Sequence, residues 1–201
     1  MKYEVMEEDQ TGDSECPIEA LNIEEKNLWI NLKDFSSWFK SLRVVVYVLR
    51  FLKIKLFNKF LQIRPEPSST SFSIFRNIKE NSFIDAKELK TAEYLIVKLE
   101  QQQMFTKQFK ALKEGKKEKL KDQLGLYLDD DLIRCAEPYK NFQMPKEKKY
   151  PVLISHRGEL ARLIINEAHI RSMHMGLQTT LNEVRQRWWI TKGRATVKKY
   201  T

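Results

Sequence analysis

Between Phe35 and Leu56 an apolar side chain recurs every three or four residues, at Phe35, Trp38, Leu42, Val45, Leu49, Leu52 and Leu56. Those steps match the 3.6-residue turn, so the run FSSWFKSLRVVVYVLRFLKIKLFNKFL reads as one long amphipathic helix whose apolar stripe needs a cover. Asp34 stands where a helix cap would. Arg43, Arg50, Lys53 and Lys55 interrupt the apolar character and leave only Val44 to Leu49 unbroken. A membrane span needs roughly 18 such residues. Lys40, Arg43, Arg50 and Lys53 share one sector of the helical wheel. That sector is either the solvated side of a packing helix or a basic face for a membrane surface.

The rest of the chain points the same way. Six Gly and six Pro in 201 residues, against 31% charged and 42% apolar side chains, favour helices joined by few tight turns around a core. Charge is unevenly spread. Residues 1–25 hold nine acidic side chains and one basic one, Lys2, while the remaining 176 residues sum to +17 within a net charge of +9. The first 27 residues therefore read as an acidic, disordered leader, and the excess behind it attracts polyanions, nucleic acid first. Cys16 and Cys135 lie far apart without a C-x-x-C, which argues for a reducing, intracellular compartment. The acidic start, with no apolar stretch behind it, is no secretory signal.

After the amphipathic helix of residues 28–63, Pro and Ser between Arg64 and Ser73 mark a linker that reaches residue 84. Asp85 followed by Glu88 fits a capping box, and Leu89, Ala92, Leu95, Ile96, Leu99, Met104 and Phe105 continue a second helix that decays in the lysine-rich stretch before Leu120. LGLYLDDDLIRC places apolar residues on either side of three aspartates, the pattern of a hairpin from Leu124 to Cys135. Asp129, Asp130 and Asp131 are its turn: consecutive carboxylates point apart and no spaced glutamate completes a calcium loop. Residues 85–150 thus form a helix plus hairpin connector.

VLIS at residues 152–155 is a third strand. Beyond it, Leu160, Leu163, Ile164 and Ala168 mark a helix, Gly176 a break, and Leu177, Leu181, Val184 and Trp188 a further helix, with a short basic one starting near Gly193. The fold class is mainly α with a small β hairpin or meander, closed by a three-helix unit over residues 151–201.

All three histidines, His156, His169 and His174, fall in the last 46 residues. On an unbroken helix His169 and His174 would lie about 140 degrees apart around the axis. They converge only if the helix ends between them, with His169 in its last turn and His174 in the loop before Gly176. Two neutral imidazoles are half of a structural zinc site, which thiolates usually complete, and the chain offers no suitable cysteine pair. Spacing alone leaves ordinary surface or core histidines as the alternative. Downstream, Arg185, Arg187, Lys192, Arg194, Lys198 and Lys199 follow one another with no acid after Glu183, and Trp188 and Trp189 lie among them. Such residues contact phosphates or stack on bases, although Trp188 also suits the core anchor of a small helical unit.

LARLIINEAHIRSMHMGLQTTLNEVRQRWWITKGRATVKK is similar to the integrase zinc-binding domain of BEL/Pao retrotransposons. FSSWFKSLRVVVYVLRFL, LKTAEYLIVKLEQQQMF, YLDDDLIRC and YPVLISH resemble, in order, the region joining ribonuclease H to integrase in those polyproteins, so the likeness runs over roughly residues 28–201. The resemblance implies an HHCC-like unit in which His169 and His174 bind Zn2+ with a later C-x-x-C that lies beyond Thr201, leaving the unit truncated here. It also implies contacts with the DNA ends of an element and with other integrase subunits, with no small-molecule substrate. Met175 stands where the family usually has glycine, which would disturb the histidine turn, and CAEP from Cys135 replaces a glycine-rich hairpin end.

No catalysis is implied. The family's acidic triad belongs to the next domain, no reverse-transcriptase or ribonuclease H motif precedes, and no nucleophile stands with a base. The alternative is a helical interaction module, without zinc or DNA, that uses the stripe from Phe35 to Leu56 against a partner helix or a membrane surface.

Overall fold

The computed structural model describes residues 30–57, 77–79, 83–136 and 146–201. The acidic leader, Cys16 and the segment from Arg64 to Ser73 lie outside them. Three residues of 3-10 helix, Leu32–Asp34, lead to helix α1, Trp38–Leu52, which continues as a π-helical turn, Lys53–Phe57. Helix α2 is Ala86–Met104, α3 Thr106–Lys113 and α4 Lys119–Leu124. Strands β1, Leu126–Asp129, and β2, Leu132–Cys135, precede a one-turn helix α5, Lys146–Lys149, and strand β3, Val152–Ile154. Helices α6, Glu159–Arg171, and α7, Gly176–Arg185, lead to strand β4, Trp188–Ile190, and helix α8, Gly193–Tyr200. The molecule is mainly helical with a small sheet, as the composition predicts.

The long helix begins later than Asp34 suggests. Asp34 ends the 3-10 turn, where it accepts a bond from Asn31 Nδ2, and Ser37 is the N-cap of α1. The stripe itself is correct: Trp38, Leu42, Val45, Val46 and Leu49 are buried against α2 and α6. The basic sector is not uniformly solvated. Arg50 is buried and forms a two-pronged bond with Glu88, Nε to Oε1 at 2.9 Å and Nη2 to Oε2 at 2.7 Å. Lys53 Nζ donates to the carbonyl of Ile78 at 2.6 Å.

Glu88 does two jobs at once. Asp85 accepts from Glu88 N–H at 2.9 Å, while Glu88 Oε2 accepts from Asp85 N–H at 3.0 Å, which completes the capping box read from the sequence. The same carboxylate takes Arg50 and the backbone N–H of Lys79. Burial opposes its charge, but the Arg50 bond and the two N–H donors prevail and hold Glu88 below the usual carboxylate range. Ile78, within the stretch read as a linker, is buried beside this knot.

The hairpin forms, but from Leu126 rather than Leu124, which ends α4 before the left-handed Gly125; Leu126 pairs with Cys135 and Asp129 with Leu132. Asp130 and Asp131 adopt φ of 48 and 60, the left-handed pair that a two-residue turn of matching twist requires. Asp129 pairs with Arg134 and Asp131 with Lys98. β2 pairs antiparallel with β3, and β3 pairs parallel with β4. That last strand is a correction. Trp188 sits in β4 opposite Val152, not on α7, because the helix closes at Arg185 and the chain extends to pair with β3.

Strand periodicity divides the sheet's two faces. Leu132, Val152, Ile154, Trp188 and Ile190 face the main core with α1, α2, α6 and α7. Ile133, Cys135, Leu153 and Trp189 face a second cluster closed by Phe105, Phe109, Leu112 and Leu120 of the α3–α4 side. Gln101 of α2, fully buried, donates to the carbonyls of Ile133 and Leu153 at 2.9 and 2.8 Å and accepts from Ile133 N–H at 2.8 Å. It satisfies backbone groups where β2 and β3 share a single paired register position.

Candidate metal and nucleic-acid site

The C-terminal unit starts from a close approach. Glu100 of α2 packs so tightly on Gly158, the N-cap of α6, that a Cβ there would meet its Oε1 at 1.6 Å. Glu100 is 4% exposed and its Oε1 has no hydrogen-bond partner among the described residues. Burial, and secondarily the charge of Glu159, push its carboxyl up to about 7. This contact anchors one end of α6; the histidines occupy the other.

His169 lies in the last turn of α6 and His174 in the loop that follows, as their spacing demands. Ser172 Oγ donates to the His169 carbonyl at 3.0 Å, and the N–H of His174 bonds the same carbonyl at 3.0 Å, closing the helix. Met173 and His174 then take φ of 50 and 59, a left-handed backbone that costs a non-glycine residue about 1 kcal/mol or more. Gly176, φ 79, releases the chain into α7. Met175 keeps φ at −73, so its side chain fits this turn without strain and the disturbance expected there does not arise.

The reward of the left-handed pair is proximity. The rings of His169 and His174 lie with centroids 4.5 Å apart and planes at 83°. Thr180 fixes the first ring. Its hydroxyl donates to the Gly176 carbonyl at 2.9 Å and lies 3.1 Å from His169 Nδ1 and 3.3 Å from Ser172 Oγ. In the tautomer that donates from Nδ1 to Thr180, Nε2 keeps the lone pair, the arrangement in which a histidine ligates metal with its other nitrogen held by a polar partner. Thr180 was missed in the sequence, though its signal was present: a hydroxyl on the otherwise apolar face of Leu177, Leu181 and Val184.

The two rings are in edge-to-face contact, and a structural zinc site would need four such donors. Among the described residues no third His, Cys, Asp or Glu joins them to form a group able to hold a metal. His156 is elsewhere, beyond the N-terminus of α6 and about 15 Å of helix from His169. Its Nδ1 lies 2.8 Å from Thr191 Oγ1, and burial followed by the charges of Lys192 and Arg157 lowers its pKa.

The six basic residues separate into different surroundings. Arg187 is tied by a two-pronged contact to Glu93 of α2 and lies over Trp188, its guanidinium carbon 5.1 Å from the ring centroid. Arg185 lies over Trp189 at 5.6 Å and, among the described residues, has no carboxylate partner. Lys192 caps α8 in a left-handed conformation, and Arg194 reaches Gln178 at 3.5 Å. Lys198 and Lys199 are exposed on α8, the latter with its ammonium 5.0 Å from the Tyr200 ring.

One helix end thus brings two imidazoles together, with a hydroxyl beside them and a basic flank downstream. Residues 157–201 match the integrase zinc binding domain family, a segment that holds both histidines, Thr180 and all six basic residues. The match spans less than a quarter of the chain. No curated protein and no solved structure matches the chain. Among the described residues no helix is long and apolar enough to cross a membrane.

Proposed function

We propose that residues 151–201 act as the zinc-binding amino-terminal domain of a retroelement integrase, and that the residues before them belong to the region joining ribonuclease H to integrase in a BEL/Pao-type polyprotein. His169 and His174 supply two ligands to a structural Zn2+, which locks the turn between α6 and α7. The basic flank holds the DNA of the element, other faces meet integrase subunits, and the chain performs no chemistry of its own. The observation that carries this reading is the 4.5 Å approach of two histidine rings inside the segment that matches the family.

Zinc that binds only the folded chain raises its melting temperature by mass action. At millimolar zinc the Tm of the chain is expected to rise, and the rise to vanish in His169→Ala and in His174→Ala while His156→Ala keeps it. An equal response in all four proteins sinks the assignment.

A second reading has one observation in its favour. The stripe from Phe35 to Leu49 is covered by the chain's own core, so it is not a docking face, but Val44, Tyr47, Phe51 and Ile54 of the same helix region are 40 to 58% exposed. A helical interaction module would use that side. Self-association abolished by Tyr47→Glu and Phe51→Glu, with zinc response intact, would favour it.

A further inference from the structure

α7, β4 and α8 line an open cavity of about 430 Å³ whose wall carries Arg185, Lys192 and Arg194 and, among the described residues, no carboxylate. Buried Leu181 and Ile190 also line it, with Trp189 beside Arg185. Three cations around one concavity repel each other, and none of the described lining residues is acidic to relieve them. The acids of this region lie elsewhere: Glu183 bonds Arg171, and Glu93 holds Arg187.

We infer that this cavity is a phosphate site for a nucleic-acid strand, formed by Arg185, Lys192 and Arg194, and that Arg187 takes no part in it. The inference deepens the DNA-binding part of the proposed function and rests on that reading. Arg185 is the central group. The Trp189 ring steadies its guanidinium by a cation–π contact, which leaves the N–H fork available for phosphate oxygens. A guanidinium plane held on an aromatic also offers a stacking platform for an unpaired base. Arg187 has the same sequence context and the same kind of tryptophan contact, yet its donors are directed at Glu93.

A nucleic acid suits the site better than a membrane. The cations ring a concavity, which a flat lipid surface does not enter, and the exposed neighbours Lys198 and Lys199 are charged rather than apolar.

The test uses the full chain and fluorescently labelled oligonucleotides, single-stranded and duplex, with affinity followed between 50 and 200 mM salt. Replacing Arg185, Lys192 and Arg194 together by Gln is expected to weaken binding at least tenfold, for every sequence alike, and to flatten the log–log salt slope by about two to three. Arg187→Gln is expected to leave the slope unchanged. Circular dichroism of each variant establishes that it is folded. DNA binding that keeps its full slope in the triple variant, or loses it in Arg187→Gln, overturns this site and leaves the wider DNA reading in place. An unmodified chain that ignores DNA overturns both. Vesicles rich in phosphatidylglycerol that bind the unmodified chain but not the triple variant, while DNA affinity is unaffected, overturn it in favour of a lipid surface.

Discussion

Two polar clusters in this protein are built on opposite plans. Around Glu88 every oxygen is matched: Arg50 grips it with two donors, the backbone N–H groups of Asp85 and Lys79 complete it, and the carboxylate is fully buried. Around His169 and His174 the matching stops halfway. One ring nitrogen is held by Thr180, the rings meet at the surface, and a strained left-handed turn keeps them there. The first cluster is organised to hold two helices together, and its carboxylate has no bonding capacity left over. The second sets two imidazoles at the surface on a strained backbone, and strain of this kind clusters at functional sites.

The sharpest break of that contrast is at Glu88. Glu88→Ala strands a buried guanidinium and should cost about 3 to 5 kcal/mol, a drop in Tm of roughly 10 °C for a chain of this size. A loss of under 1 kcal/mol in denaturant titration would remove the structural half of the comparison.

Glu100 gives a pH-dependent effect of similar or smaller size. Its pKa in the folded chain is raised to about 7, above the unfolded value. The stability it contributes is therefore fully present below about pH 4.5 and is lost as pH rises through about 7. The loss is on the order of 3 kcal/mol. Glu100→Gln should flatten the fall in stability between pH 5 and pH 8 and make the variant the more stable protein at pH 8. An unchanged pH profile would contradict the account of that carboxyl.

Gly158→Ala forces the same side chain aside and should cost about 1 to 3 kcal/mol, measured as a shift in denaturant midpoint. The smallest effect belongs to the histidine turn. His174→Gly relieves a left-handed backbone and should change stability by only about 0.5 kcal/mol, in the stabilising direction, while abolishing the response to zinc. A variant strongly destabilised without metal would place His174 among the structural residues.

What was legible in the sequence was local. The capping box at Asp85 and Glu88, the aspartate turn of the hairpin and the break between His169 and His174 each depend on residues within a few positions. What was not legible depends on partners far along the chain. Arg50 looked like part of a solvated sector because Glu88 lies 38 residues away. Trp188 continued the four-residue steps of Leu177, Leu181 and Val184, and its true place follows from pairing with β3, which no local period encodes. The same distance effect splits the six basic residues, since Glu93, 94 residues before Arg187, neutralises that arginine and not Arg185. For the site, the histidine pair was readable from its motif, whereas Thr180 became evident only once its hydroxyl was seen bonded to both Gly176 and His169.

The central claim, that His169 and His174 are metal ligands in waiting, is most directly tested by long-range ¹H–¹⁵N spectra of the imidazole rings with and without zinc. The account predicts His169 in the Nδ1-protonated form before zinc is added, coordination through its Nε2 afterwards, and a concerted shift of His174 with His156 unmoved. A His169 protonated at Nε2, or zinc shifts no larger at these two rings than at His156, would contradict it.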